Sequence, residues 1–336
     1  MPAGIEYAED GRATFVAVRK HGWHQMGTVS DEDLSVEQGL GLAHLADLDY
    51  HTEPVLVPVG NPPVLQAAAG KIATVRRNPF DRSKWDILGV GMTDSYTLHT
   101  PEEAFGFGEA IIEYGHPLAA MGSISNGRRA FAAFAMDDLT IGGKDAVKMY
   151  LNILTSFDAT LATYARVSAI RAECENTFNA ILSDGDALTY RVRHIGDGLE
   201  HRVDDARSAL SIGWQAMETF QKEAELLISR EVTKVEFDKI VEQLLPVRNN
   251  ATDRVKATRL GEREAVRAIY EAGNAASITG TAWGVFNAYT EWADWTAGSF
   301  KTPEARMVSQ IMPGTITDRR RERAGSIVKS VLALTV

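Results

Sequence analysis

Two arginines five residues apart, Arg166 and Arg171, run into the block Cys174-Glu175-Asn176-Thr177-Phe178. The surroundings are apolar, where charge is costly unless it is paired or used. The guanidinium groups can grip phosphates, or they can close internal salt bridges with Asp158, Glu173 or Glu175. Asn176 and Thr177 can hold a ligand or satisfy the free N–H groups of a helix start. Cys174 is the only cysteine. As a nucleophile it needs a base beside it; without one it is a small buried apolar group. A single cysteine forms no internal disulfide and fits a reducing cytosol.

A second group of cations lies upstream. Arg76, Arg77, Arg82 and Lys84 precede Trp85, and Arg128 and Arg129 follow the Asn126-Gly127 pair. Positive charge beside a stackable ring is what a single-stranded nucleic acid needs, with phosphates neutralised and a base laid on the ring. Lys148 adds a cation on the polar side of an alternating strand. The alternative is that these are edge-strand charges that keep sheets from pairing with one another. No GxxxxGK[ST] loop is present, so a nucleotide-binding P-loop is not expected. His21 and His24 lack the cysteine or carboxylate neighbours of a metal site. Asp184-Gly185-Asp186 lacks the spacing of a calcium loop. The expectation is therefore no catalytic residue, no metal and no cofactor.

Charge is unevenly distributed. The net charge is -10 over 336 residues. Residues 1–53 hold ten acidic and three basic side chains, whereas 71–84 hold five basic ones against Asp81 alone. An acidic total does not exclude a phosphate backbone, because local potential sets the contact. Hydrophobic content of 45% is that of an ordinary globular chain. No apolar run approaches the ~20 residues that span a bilayer, so no membrane partner is expected.

The positioning elements follow from periodicity. A strand is expected at Thr14–Val18, then a turn and a helix capped by Ser30, then an extended connector broken by Pro54, Pro58, Pro62 and Pro63. Lys71–Arg77 and Trp85–Met92 read as a hairpin. Thr100, Pro101 and Glu103 form the start of a helix that Gly115 stops. Asn126-Gly127 joins Leu118–Ser125 to Arg128–Met136 in a type I′ hairpin. Val147, Met149, Leu151 and Ile153 alternate with polar residues as a half-buried strand does. Leu161–Ile170 fits either a further strand or the start of a helix. Beyond residue 186 the period is helical: Leu210, Trp214, Met217, Ala224 and Leu227 form one stripe, Thr233 and Glu236 a capping box. Three more helices are expected at 254–278, 280–296 and 317–333. The aromatic run Trp283, Phe286, Tyr289, Trp292 and Trp295 fits packing better than a ligand cage. The fold class is α+β: a curved antiparallel sheet backed by helices, then a helical C-terminal region. The divisions expected are 1–62, 63–183 and 184–336.

Several segments form one ordered set: Gly22-Trp23-His24-Gln25-Met26-Gly27, Leu88-Gly89-Val90 with Asp94-Ser95-Tyr96-Thr97, Ser156-Phe157-Asp158-Ala159 leading to Arg166 through Thr177, and Gly280 through Glu291. The set resembles the phage- and plasmid-borne family called domain of unknown function 932, over roughly Gly22 to Leu332. Phe157-Asp158-Ala159 departs from the His-Asp-Gly expected of that family. The resemblance carries no agreed activity and no catalytic residues. The order of hairpin, helix, antiparallel strands and helix is also similar to phage single-strand annealing proteins of the RecT and Red-beta type. That resemblance implies single-stranded DNA as partner, homo-oligomeric assembly in the bacterial cytoplasm, and a role in annealing or recombination. The residues expected at the nucleic acid are Arg76, Arg77, Arg82, Lys84, Trp85, Arg128, Arg129, Lys148, Arg166, Arg171 and Asn176. The competing expectation is a non-enzymatic oligomeric protein acting on host or phage proteins; the third is an enzyme using Cys174 or the surroundings of Asp158 and Asn176.

Overall fold

The computed structural model describes residues 5–19, 27–171, 177–178, 189–192, 202–297 and 315–334. The α+β class is as expected: strands dominate the first half and helices the second. The chain divides into two compact units, Met1–Met136 with Leu151–Arg166 and Thr189–Ile212, and Asp137–Tyr150 with Val167–Leu188 and Gly213–Val336.

The first unit holds two sheets. Strands β1 (Phe15–Val18), β2 (Thr28–Ser30), β6 (Leu118–Ile124) and β7 (Arg129–Ala135) lie in the order β7-β6-β1-β2. The order continues from β7 to the parts of β9 (Asp145–Ser156) and β10 (Thr163–Arg171) that lie within Leu151–Arg166, and to β12 (Thr189–Val192). β1 pairs parallel with β2 and antiparallel with β6. The second sheet is β3 (His51–Val59), β4 (Val64–Arg77) and β5 (Trp85–Thr93), with β4 central. Helices α1 (Val36–Leu42), α2 (Pro101–Phe105) and α3 (Gly108–Glu113) complete this part.

Local signals explain most of these elements. Thr100 accepts from the Glu103 N–H, Glu103 answers to the Thr100 N–H, and Pro101 fills the first helical position of α2. The hairpin stands where expected, but Ile124↔Arg129 is its last pair and the turn spans Ser125–Arg128, with Ser125, Asn126 and Gly127 at φ of 57°, 56° and 76°, rather than the two residues Asn126-Gly127 alone. Leu161–Ile170 resolves as strand β10. Two expectations are corrected. The cap of α1 is Ser35 with Gln38, not Ser30, which ends β2. Pro54 and Pro58 do not break the chain into a connector; they sit in β3, paired opposite Ile72 and Leu65. β3 is an edge strand, where a missing N–H costs no ladder bond.

The second unit is built on α5 (Lys234–Leu244), α6 (Asp253–Ala272), α7 (Ala282–Glu291), α8 (Ile316–Val331) and the C-terminal part of α4 (Arg202–Ser229), with β8 (Leu139–Ile141) paired to the first residues of β9. β11 (Thr177–Phe178) pairs with the end of β10. The capping box of Thr233 and Glu236 is present. In the α4 stripe Met217, Ala224 and Leu227 are buried, but Trp214 is exposed, a correction to the expected packing face. Trp283, Phe286, Tyr289 and Trp292 are buried, as packing requires, and the Trp283 indole donates to Asp145 at 2.7 Å. Arg321 is fully buried against Asp294 at 2.7 Å, and Lys329 meets buried Glu223 at 2.9 Å. These two basic residues of α8 are therefore internal counter-ions.

Candidate nucleic-acid interface

β4 alternates its side chains across the small sheet, and the two faces receive opposite fates. On one face Thr74 donates to the Phe157 carbonyl, and Gly89 lies so close to Asp158 that a Cβ there would sit 2.7 Å from its Cα. Arg76 shares this face and is fully buried. It pairs with Glu6, donates to the Tyr50 hydroxyl at 3.1 Å and lies 3.6 Å from Asp86. Burial alone would pull the Arg76 guanidinium down, but Tyr50 and Glu6 hold it above its ordinary value. Burial pushes the Tyr50 hydroxyl up to about 12. Arg76 is thus a structural cation with its charge spent inside. The expectation that it neutralises a phosphate is corrected.

The other face is open along β5, while its central β4 residues Ala73 and Val75 are buried. Cross-strand pairs His51↔Val75↔Ile87 and Glu53↔Ala73↔Val90 run across it, beside Arg77↔Trp85. The Arg77 guanidinium lies 3.7 Å above the centre of the Trp85 ring, and the His51 ring meets the same indole edge-on at 5.1 Å. Trp85 is 43% exposed, Ile87 66% and Val90 64%. Such a surface offers a π-face, a fixed cation and apolar contact together. Asp49 lies 4.0 Å from Arg77. Burial would lower His51, but its hydrogen bonds to the Asp49 carbonyl and to Glu53, and their charges, raise it above the ordinary imidazole value. His51 therefore adds positive charge to this face below neutral pH.

The remaining cations are distributed around these faces. Arg82 donates to the carbonyls of Asp47 and Ala46, and Lys84 pairs with Asp81 at 2.9 Å. Hydrogen bonds from Ser83 and Lys84 hold Asp81 down at about 2. The Asn126-Gly127 turn sits against the Arg76–Glu6 pair, on the closed side: a Cβ at Gly127 would lie 2.2 Å from the guanidinium. Arg128 follows, exposed, and Arg129 donates to Thr160 at 3.1 Å. Among the described residues, Lys71, Arg82, Arg128 and Arg129 meet no carboxylate within salt-bridge distance. The structure thus brings Arg77, Trp85 and Lys71 to one open face and leaves Arg128 and Arg129 beside the opposite one. Lys148 is exposed on β9 in the second unit, and half-buried Arg166 is on β10 in the first. Arg171 ends β10, with its side chain outside the described residues; Asn176 and Cys174 also lie outside them.

His51 carried no local motif; only the register of β3 on β4 places it near Trp85. The acidic front segment and the basic hairpin, far apart in charge and in the expected divisions, meet through Glu6 and Asp49, the partners of Arg76 and Arg77. The opposite charge of the two stretches was the signal available.

The family model described as Domain of unknown function (DUF932) matches residues 90–324. The match starts at Val90, so the Gly22–Gly27 motif lies outside it. No curated protein and no solved structure matches the chain. No helix among the described residues is long and apolar enough to cross a membrane, and no group of three or more metal-ligating side chains is present among them.

Proposed function

We propose that this chain, which belongs to the DUF932 family, binds single-stranded DNA on the open face of the β3-β4-β5 sheet and promotes annealing or recombination of a phage or plasmid kind. The supporting observation is the exposed stack of Arg77 on Trp85, flanked by His51, on a solvent-facing sheet. A base lays its ring on the exposed indole, and Ile87 and Val90 accept the neighbouring apolar edges. Arg77 and Lys71, with Lys84 in the adjoining loop, neutralise phosphates. Stacking tolerates any base, so affinity depends weakly on sequence.

The test is equilibrium binding to fluorescent oligothymidylate, with duplex DNA as the comparison. Trp85→Ala removes ~1–3 kcal/mol of stacking, so affinity falls by roughly 5- to 150-fold. Affinity also drops steeply between about 50 and 200 mM salt as counterions are released. No binding at low salt, or an unchanged Trp85→Ala, overturns the reading.

A second reading, a protein partner on the same face, is favoured by the apolar exposure of Ile87 and Val90. It predicts no salt-dependent DNA binding and loss of partner capture in Ile87→Lys.

A further inference from the structure

The β3–β4 hairpin extends past the end of β5, whose last pair is Lys71↔Thr93. Its outer part pairs Leu56↔Ala67, Val57↔Gln66, Pro58↔Leu65 and Val59↔Val64, beyond a break in register after Pro54. Both faces of this arm are open. Leu56 is 54% exposed, Val59 45%, Val64 61% and Leu65 64%, although cross-strand pairing puts Val59 and Val64 on one face and Leu65 on the other.

The two edges differ. The β3 edge carries Pro54 and Pro58, which cannot donate and block strand addition. The β4 edge, Val64-Leu65-Gln66-Ala67, carries no proline and no charge, and β5 does not reach it. From Val55 to Ala69 the chain has no ionisable side chain at all. An identical segment therefore approaches without like-charge repulsion, whereas a phosphate backbone finds nothing to pair with. Antiparallel alignment of this edge with its own copy is two-fold symmetric, the self-complementary arrangement typical of homodimers.

We propose that the arm is a dimerisation element: two copies join their β4 edges antiparallel about Gln66, with Leu65 opposite Ala67 of the copy, making one four-stranded ribbon in which the free main-chain groups of both edges are paired. This surface is separate from the Trp85 face, so failure of the DNA reading leaves it standing, and the reverse also holds.

The experiment measures the mass of the full chain by light scattering on a sizing column, at ~1 and ~50 μM. The wild type is expected at twice 36.7 kDa at the upper concentration. The double variant Val64→Lys, Leu65→Lys places like charges on both faces of the joined edge and shifts the dissociation constant upward at least ~100-fold, giving monomer with an unchanged circular dichroism spectrum. Both positions are already exposed, so folding survives. As an independent check, Gln66→Cys in a Cys174→Ser background forms an intermolecular disulfide on mild oxidation, and Lys144→Cys in the same background does not. A monomeric wild type at 50 μM, or a dimer unmoved by the lysine pair, overturns the proposal.

Discussion

Arg76→Met is the sharpest test of which cations are structural. The guanidinium it removes is fully buried and bridges Glu6, Tyr50 and Asp86. Methionine fills much of the volume, so the cost is chiefly electrostatic: two carboxylates lose their counter-ion. Removing one member of a buried pair costs ~3–5 kcal/mol. Glu6 and Asp86 retain side-chain exposures of 15% and 28%, so water recovers part of the loss and the lower end applies. At ~2–4 °C per kcal/mol, a loss of ~3 kcal/mol lowers the melting temperature by roughly 6–12 °C. The assay is thermal unfolding followed by circular dichroism, paired with oligothymidylate binding below the new transition. The folded variant should bind as the wild type does. A melting temperature within ~2 °C of wild type, together with lost binding, would refute the assignment and return Arg76 to the phosphates.

Two other expectations concern backbone strain and protonation. Ala159 has φ +57° in the loop after β9. The left-handed region costs a non-glycine residue ~1–2 kcal/mol, and glycine gives back ~0.5–1 kcal/mol in unfolded-state entropy. Ala159→Gly is therefore expected to stabilise by ~0.5–1 kcal/mol in urea unfolding; a lower midpoint would contradict this. His99 is buried, and burial lowers its imidazole pKa despite the nearby Glu103. The unfolded chain then takes up a proton first, so stability is lost as pH falls below about 6.5 toward the folded value. Urea midpoints at pH 7.5 and 5.5 should differ less in His99→Gln than in wild type; equal differences would exclude the role.

What could be read from residue order follows from the range of the forces involved. The capping boxes at Thr100 and Thr233 and the Asn126-Gly127 turn are local, made by residues three apart or fewer, and they stand where expected. The prolines of β3 misled because edge position is a property of the sheet, not of the strand. The sides on which Arg76 and Arg77 fall were illegible for the same reason. Adjacent residues face opposite ways in a strand, and which face is closed depends on the loop at Phe157–Asp158, some eighty residues away. The departure Phe157-Asp158-Ala159 also acquires a physical meaning: the position where glycine was expected has the backbone conformation that favours glycine.

Strand β1 has a consequence for how the molecule comes into being. It lies between β2 and β6, with Val16 opposite Met121, about a hundred residues later. At ~5–20 residues per second of synthesis, the Phe15–Val18 segment waits ~5–20 s for that neighbour. Through that interval an apolar tetrapeptide has only the short β2 segment beside it, and closing so long a loop carries an entropic toll that local contacts do not. Assembly of the large sheet is therefore expected to begin at the Asn126-Gly127 hairpin, to which the leading strand adds once β6 is in place.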